Sequence, residues 1–109
     1  DVVVAAVPGE IYPELVYGEY QDPVEPAVDF PHAPLEPSLI DSLQCDHPLI
    51  IGLANDEIGY IIPQRQWDHE PPFAYGRNKS QYGEANSCGP DVAPILMEAF
   101  QETAKQLRE

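Results

Sequence analysis

Thirteen prolines stand among the 109 residues of this chain, roughly twice the usual share. Each one fixes φ and removes a backbone donor, so a helix cannot run through it and a central strand cannot contain it. They cluster: Pro23, Pro26, Pro31, Pro34 and Pro37 fall in one stretch, and Pro63, Pro71 and Pro72 in another. Regular structure is therefore confined mainly to residues 2–7, 49–62 and 91–108. A chain of this length buries only about two thirds of the surface it exposes when unfolded, so a modest core is expected.

Residues 2–7 are β-branched and alanine-rich without alternation, which predicts a strand covered on both faces, ending at Pro8-Gly9. Pro13 suits a first helical turn and Gly18 a C-terminal cap, so a short helix follows the strand. Residues 18–47 read as an acidic, Pro-rich, largely irregular excursion over the surface. Residues 49–53 form a second buried-strand candidate, Asn55-Asp56 a turn, and residues 58–62 a short strand stopped by Pro63. No periodicity survives across residues 63–89, which read as loop. From Asp91 to Arg108, Val92, Ile95, Leu96, Ala99, Phe100, Thr103 and Leu107 recur at helical spacing, with Pro94 tolerated in the first turn. The fold class this predicts is α/β: a partial mixed sheet, one long C-terminal amphipathic helix, a short helix after the first strand, and long Pro-rich loops.

The formal charge is −14, and no Lys or Arg precedes Arg65. Nucleic acid is excluded as a partner because phosphate recognition needs clustered cations. The acids read as a solvating surface; Asp22, Glu25, Asp29 and Glu36 lack the Gly-centred spacing of a calcium loop. Cys45 and Cys88 belong to no Cys-x-x-Cys pair, which leaves one disulfide or two free thiols. His32, His47 and His69 show no local zinc-pair spacing and read as surface residues, although His69 between Asp68 and Glu70 also suits a substrate loop. No Ser sits in a Gly-x-Ser-x-Gly elbow. No apolar run approaches the roughly 18–20 residues of a membrane span.

Glu10 and Tyr60 carry the most specific signal. Each is an oxygen-bearing side chain at the end of a strand-like segment, where side chains of an α/β sheet converge. Taken alone, Glu10 suits a helix N-terminus and Tyr60 a core position with its hydroxyl satisfied. Taken in order, Val7-Pro8-Gly9-Glu10, then Gly52-Leu53-Ala54-Asn55 with Gly59-Tyr60, then Tyr82-Gly83-Glu84 closing on Gly89-Pro90 before a helix, the chain resembles the C-terminal part of the neutral/alkaline ceramidase catalytic domain. The resemblance covers nearly all of residues 1–109 apart from the Pro-rich excursion.

That resemblance implies a zinc ion held by two histidines from an earlier part of the domain, by Glu10 and by Tyr60, with Tyr82 at the reaction centre. It implies hydrolysis of an amide in a small-molecule or lipid substrate. Asn55 would hold the turn that aims Tyr60. Two departures stand out: Glu57 occupies a position where the family has tyrosine, and the spacing from Tyr82 to Gly89-Pro90 is shorter. Both fall where substrate would lie, so the resemblance speaks for the hydrolase scaffold and not for ceramide as the substrate. The start at Asp1, without methionine, fits a segment of a longer polypeptide. The remainder of the catalytic domain is then the main partner, zinc is bound in the complete protein, the isolated chain is inactive, and its uncovered apolar patch drives homo-oligomerisation. An extracytoplasmic location follows from the same kinship. The competing expectation is a non-catalytic acidic α/β interaction module in which Glu10 and Tyr60 are structural and the Pro-rich loop makes protein contacts; the two side chains facing opposite sides of the sheet would favour it.

Overall fold

The computed structural model describes residues 1–109. Strand β1 (Val2–Ala6) leads through Pro8-Gly9 into β2 (Glu10–Ile11) and helix α1 (Pro13–Tyr17). Helix α2 (Leu39–Leu43) precedes β3 (His47–Ile51) and β4 (Tyr60–Ile61); helices α3 (Tyr82–Ala85) and α4 (Val92–Arg108) complete the chain. Two single 3-10 turns, Gln64–Gln66 and Ala74–Gly76, lie between β4 and α3.

The expected α/β class holds, with small sheets and one long C-terminal helix, but the mixed sheet does not. The strands form two separate two-stranded ladders, β1 with β3 and β2 with β4, both parallel. They are successive stretches of one ribbon. Pro8-Gly9 interrupts it on one side and residues 52–59 on the other, where Leu53 and Asn55 take positive φ. Backbone bonds bridge the gap: Val7 N–H to Ile51 O at 2.9 Å, Ile58 N–H to Pro8 O at 2.8 Å and Glu10 N–H to Gly59 O at 3.0 Å. The strand expected over residues 58–62 shrinks to Tyr60–Ile61 for this reason.

Along β1, Ala5 points inward while Val2 and Val4 are exposed; on β3, Leu49 and Ile51 are exposed as well. Their register pairs, Val4 with Leu49 and Ala6 with Ile51, form an apolar row on the open face. The expected burial of residues 2–7 on both faces is therefore corrected to burial on one. Parallel ladders are normally covered on both sides; within these residues no element covers the second.

Val7, Leu15, Leu39, Ile61, Ala93 and Met97 make the core, where both ribbon stretches meet α1, α2 and α4. Pro13 and Gly18 do what was expected of them: Pro13 opens α1, and Gly18, at φ 77°, donates its N–H to Glu14 O at 2.8 Å. On α4 the buried positions are Ala93, Met97 and Ala104, whereas Ile95 and Leu107 are exposed. Of the expected stripe, Val92, Leu96 and Phe100 pack half-buried against the core, and Leu96, Ala99, Phe100, Thr103 and Leu107 line an open groove of about 670 Å³ between α4 and β1.

The Pro-rich excursion is more ordered than its composition suggests. Ser38 caps α2, its Oγ accepting from Asp41 N–H at 3.2 Å while Ser42 Oγ donates to Ser38 O at 2.7 Å. Several acids there accept backbone donors and are not simply solvated: Glu36 from Gln64 N–H at 2.8 Å, and Asp29 from His69 N–H at 2.9 Å. Arg108 Nη1 donates to Ser42 O at 2.6 Å, tying the end of α4 to α2. Because Leu39 and Leu43 are core-facing, Ser38→Ala is expected to cost about 1 kcal/mol. A lower urea midpoint at unchanged slope would register it.

Candidate functional site

Two glycines bring the expected ligands together. A Cβ at Gly9 would lie 2.5 Å from Gly59 O, so the Pro8-Gly9 turn approaches the ribbon as closely as only glycine allows. Gly59 itself, at φ 93°, has no room either: its Cβ would lie 2.1 Å from Asn86 O. Glu10 consequently sits in register with Tyr60 on the adjacent parallel strand, and neighbours in register project to the same face. Glu57, the departure noted above, accepts from Gly59 N–H at 2.8 Å and shapes this turn.

The two side chains act on one another. The Tyr60 phenol is raised above its ordinary range, first by partial burial and then by the neighbouring Glu10 carboxylate; Tyr82 and Glu57 add to the effect. Tyr82, 73% exposed, stands edge-on to Tyr60 with ring centroids 5.8 Å apart and planes at 82°. Glu10, Tyr60 and Tyr82 therefore share one surface. Neither ion pair in the molecule involves Glu10: one joins the N-terminus to Asp46, the other Arg77 to Asp68.

Behind Tyr82 lies a buried polar group of residues. Gly83 and Glu84 are the buried residues of α3, and a Cβ at Gly83 would lie 3.0 Å from the Tyr12 hydroxyl. Glu84 is 4% exposed and both carboxylate oxygens lack a hydrogen-bond partner. Asp68, fully buried, accepts from Ala74 N–H with both oxygens and from Arg77 Nη1 at 3.2 Å. Burial, followed by the Asp68 charge, raises Glu84 to about 7. Tyr12 is pushed up to about 12 by burial and then by Glu84 and Glu14. The Tyr82-Gly83-Glu84 motif carried a signal for Glu84, but its burial arises from tertiary packing against residues 67–77.

The remaining candidates lie elsewhere. His32, His47 and His69 are exposed; the His69 ring lies 6.1 Å from that of Trp67. Asp68 is structural, and the backbone N–H groups of His69 and Glu70 are held by Asp29. Cys45 and Cys88 are both free thiols. Asn55, at φ 67°, lies in the turn before Tyr60 as expected. No three His, Cys, Asp or Glu side chains converge in a group that could hold a metal ion, and no helix is long and apolar enough to cross a membrane. Glu10 and Tyr60, in register on adjacent strands, offer two oxygens, a partial set against the three or four protein ligands of a zinc site. No family profile, characterised protein or solved structure matches this chain.

Proposed function

We propose that residues 1–109 form part of a zinc-dependent amidohydrolase, of the kind that the resemblance to ceramidases implies, and supply two oxygen ligands to a metal centre whose imidazole donors come from outside these residues. The observation that carries this reading is the pairing of Glu10 with Tyr60, side by side on adjacent strands with the carboxylate acting on the phenol. An interaction module with two unrelated structural residues gives no reason for that convergence, nor for Tyr82 joining it. The apolar row on β1 and β3 and the groove beside α4 favour further protein packed against this face.

Glu10 and Tyr60 would hold the zinc, Glu10 as a hard anionic oxygen and Tyr60 after losing its phenolic proton. When bound, such an ion supplies Lewis acidity, activating water near neutral pH and polarising the scissile carbonyl. Tyr82 would donate a hydrogen bond from its hydroxyl to the carbonyl oxygen as negative charge develops there. Gly59 and Glu57 hold the turn that aims Tyr60. The isolated 109 residues, with an incomplete ligand set, are inactive on this reading.

Zinc content and hydrolysis of a panel of N-acyl lipids and soluble amides test it on the natural polypeptide that carries these residues. Stoichiometric zinc is expected, with activity falling at least about 100-fold in Glu10→Ala. A Glu10→Ala protein that keeps both zinc and activity overturns the assignment.

A further inference from the structure

We propose that Glu84 is a positioning residue for Tyr82: as a neutral carboxylic acid it seats the turn that carries Tyr82 against β4, and on ionising it releases that turn. The functional meaning rests on Tyr82 belonging to the site proposed above; the seating itself does not.

The geometry makes Glu84 the plug of a small element. Helix α3 is a four-residue turn whose first residue, Tyr82, faces solvent and whose buried side chain is that of Glu84. Few bonds hold the turn in place. Tyr60 N–H donates to Asn86 O at 2.9 Å, while Asn86 Nδ2 and N–H donate to Tyr82 O at 2.8 and 3.2 Å. Gly83 packs tightly against the Tyr12 hydroxyl, 3.0 Å from where a Cβ would lie. Removing Glu84 from its cavity therefore removes the anchor that orients Tyr82 over Tyr60.

The surroundings accept the acid and resist the anion. From residues 67–77 come Asp68, Arg77 and His69, from the segment after β2 Tyr12, and from α3's own N-terminal cap the Gln81 amide. Arg77, His69 and the Gln81 amide favour the charged form, but burial and Asp68 outweigh them. Arg77 is already engaged by Asp68 at 3.2 Å, so an ionised Glu84 would be a second buried negative charge sharing one guanidinium. A buried charge without its own partner is expelled or neutralised.

The sign follows from linkage. A carboxyl whose value in the folded protein is raised contributes stability that is full below its unfolded value near 4.5 and is lost as pH rises through about 7. Seating of α3 is thus complete in mild acid and weakened in mild alkali, so Tyr82 is presented only when Glu84 holds its proton.

Hydrogen exchange on the 109-residue chain, without metal or substrate, tests this apart from the hydrolase reading. After correction for the intrinsic rate, protection of the Tyr60 and Asn86 amides is expected to fall at least about tenfold between roughly pH 5.5 and 8.5. In Glu84→Gln, which cannot ionise, the same amides should show a flat profile. An equal fall in Glu84→Gln, or no fall in the parent chain, overturns the proposal. Should Glu84→Gln not fold, carboxyl-carbon NMR of the parent chain decides: a glutamate titrating together with the loss of protection supports the switch, and glutamates all titrating in the ordinary carboxylate range refute it.

Discussion

Alanine at position 59 is expected to destabilise this protein by about 3 kcal/mol or more, the largest effect of any single methyl group added to the ribbon. Two costs coincide there. The backbone sits at φ 93°, and the new Cβ would lie 2.1 Å from Asn86 O and 3.0 Å from Asn86 C. The obstruction is main chain, so no side chain can rotate away from it. Relief requires α3 to move off β4, which breaks the bond from Tyr60 N–H to Asn86 O and separates Tyr82 from Tyr60. Gly76 provides the control: its φ is 68°, yet nothing lies within 4 Å of its would-be Cβ, so Gly76→Ala should cost only the left-handed penalty of about 1–2 kcal/mol. Urea unfolding of both variants makes the comparison. If Gly59→Ala costs no more than Gly76→Ala, the close docking of α3 on β4 is wrong. With total stabilities of about 5–15 kcal/mol typical of domains and a core of few large side chains, Gly59→Ala brings this chain near its unfolding threshold.

Where structure is decided by neighbours in sequence, the chain was legible. Pro13 and Gly18 bracket α1 because a fixed φ and a left-handed cap are properties of those residues alone. The helix at residues 92–108 follows from apolar spacing and from Lys105 and Arg108 near its negative end. Helix α2 was obscured by the prolines around it, although Ser38 preceding Leu39 and Asp41 is a capping signal. The mixed sheet failed for a different reason. Strand partners and register depend on how the 52–59 segment folds back over Pro8-Gly9, and that depends on close contacts between Gly9, Gly59 and Asn86 that no local pattern encodes.

The site divides along the same line. Glu10, Tyr60 and Tyr82 were picked out through motif order, and all three meet on one surface. Glu84 was not, because a glutamate two places after a tyrosine ordinarily faces water. Its burial beside Asp68 and Arg77 comes from residues 67–77 folding under α3, a long-range consequence of packing. Helix α4 packs Val92, Leu96 and Phe100 against the core as its apolar spacing predicts, while Leu96 and Phe100 also line the groove beside β1.

Removing either oxygen of the proposed ligand pair is the other change with a large expected effect. The Tyr60 phenol is held neutral by partial burial and by Glu10, so a cation binding between them must expel its proton, and apparent affinity rises with pH. A surface of net charge −14 also gathers zinc loosely, but carboxylates do so without ionising a tyrosine. The most direct measurement is therefore a zinc titration of the 109-residue chain followed by the ultraviolet difference spectrum of tyrosinate. Shared coordination predicts that zinc ionises one tyrosine well below the free-phenol range. Tyr60→Phe should abolish the signal, Glu10→Gln should weaken apparent affinity at least about tenfold, and Tyr82→Phe should leave the signal in place. A tyrosinate spectrum that survives Tyr60→Phe, or zinc uptake that ionises no tyrosine, would contradict a common ion between Glu10 and Tyr60.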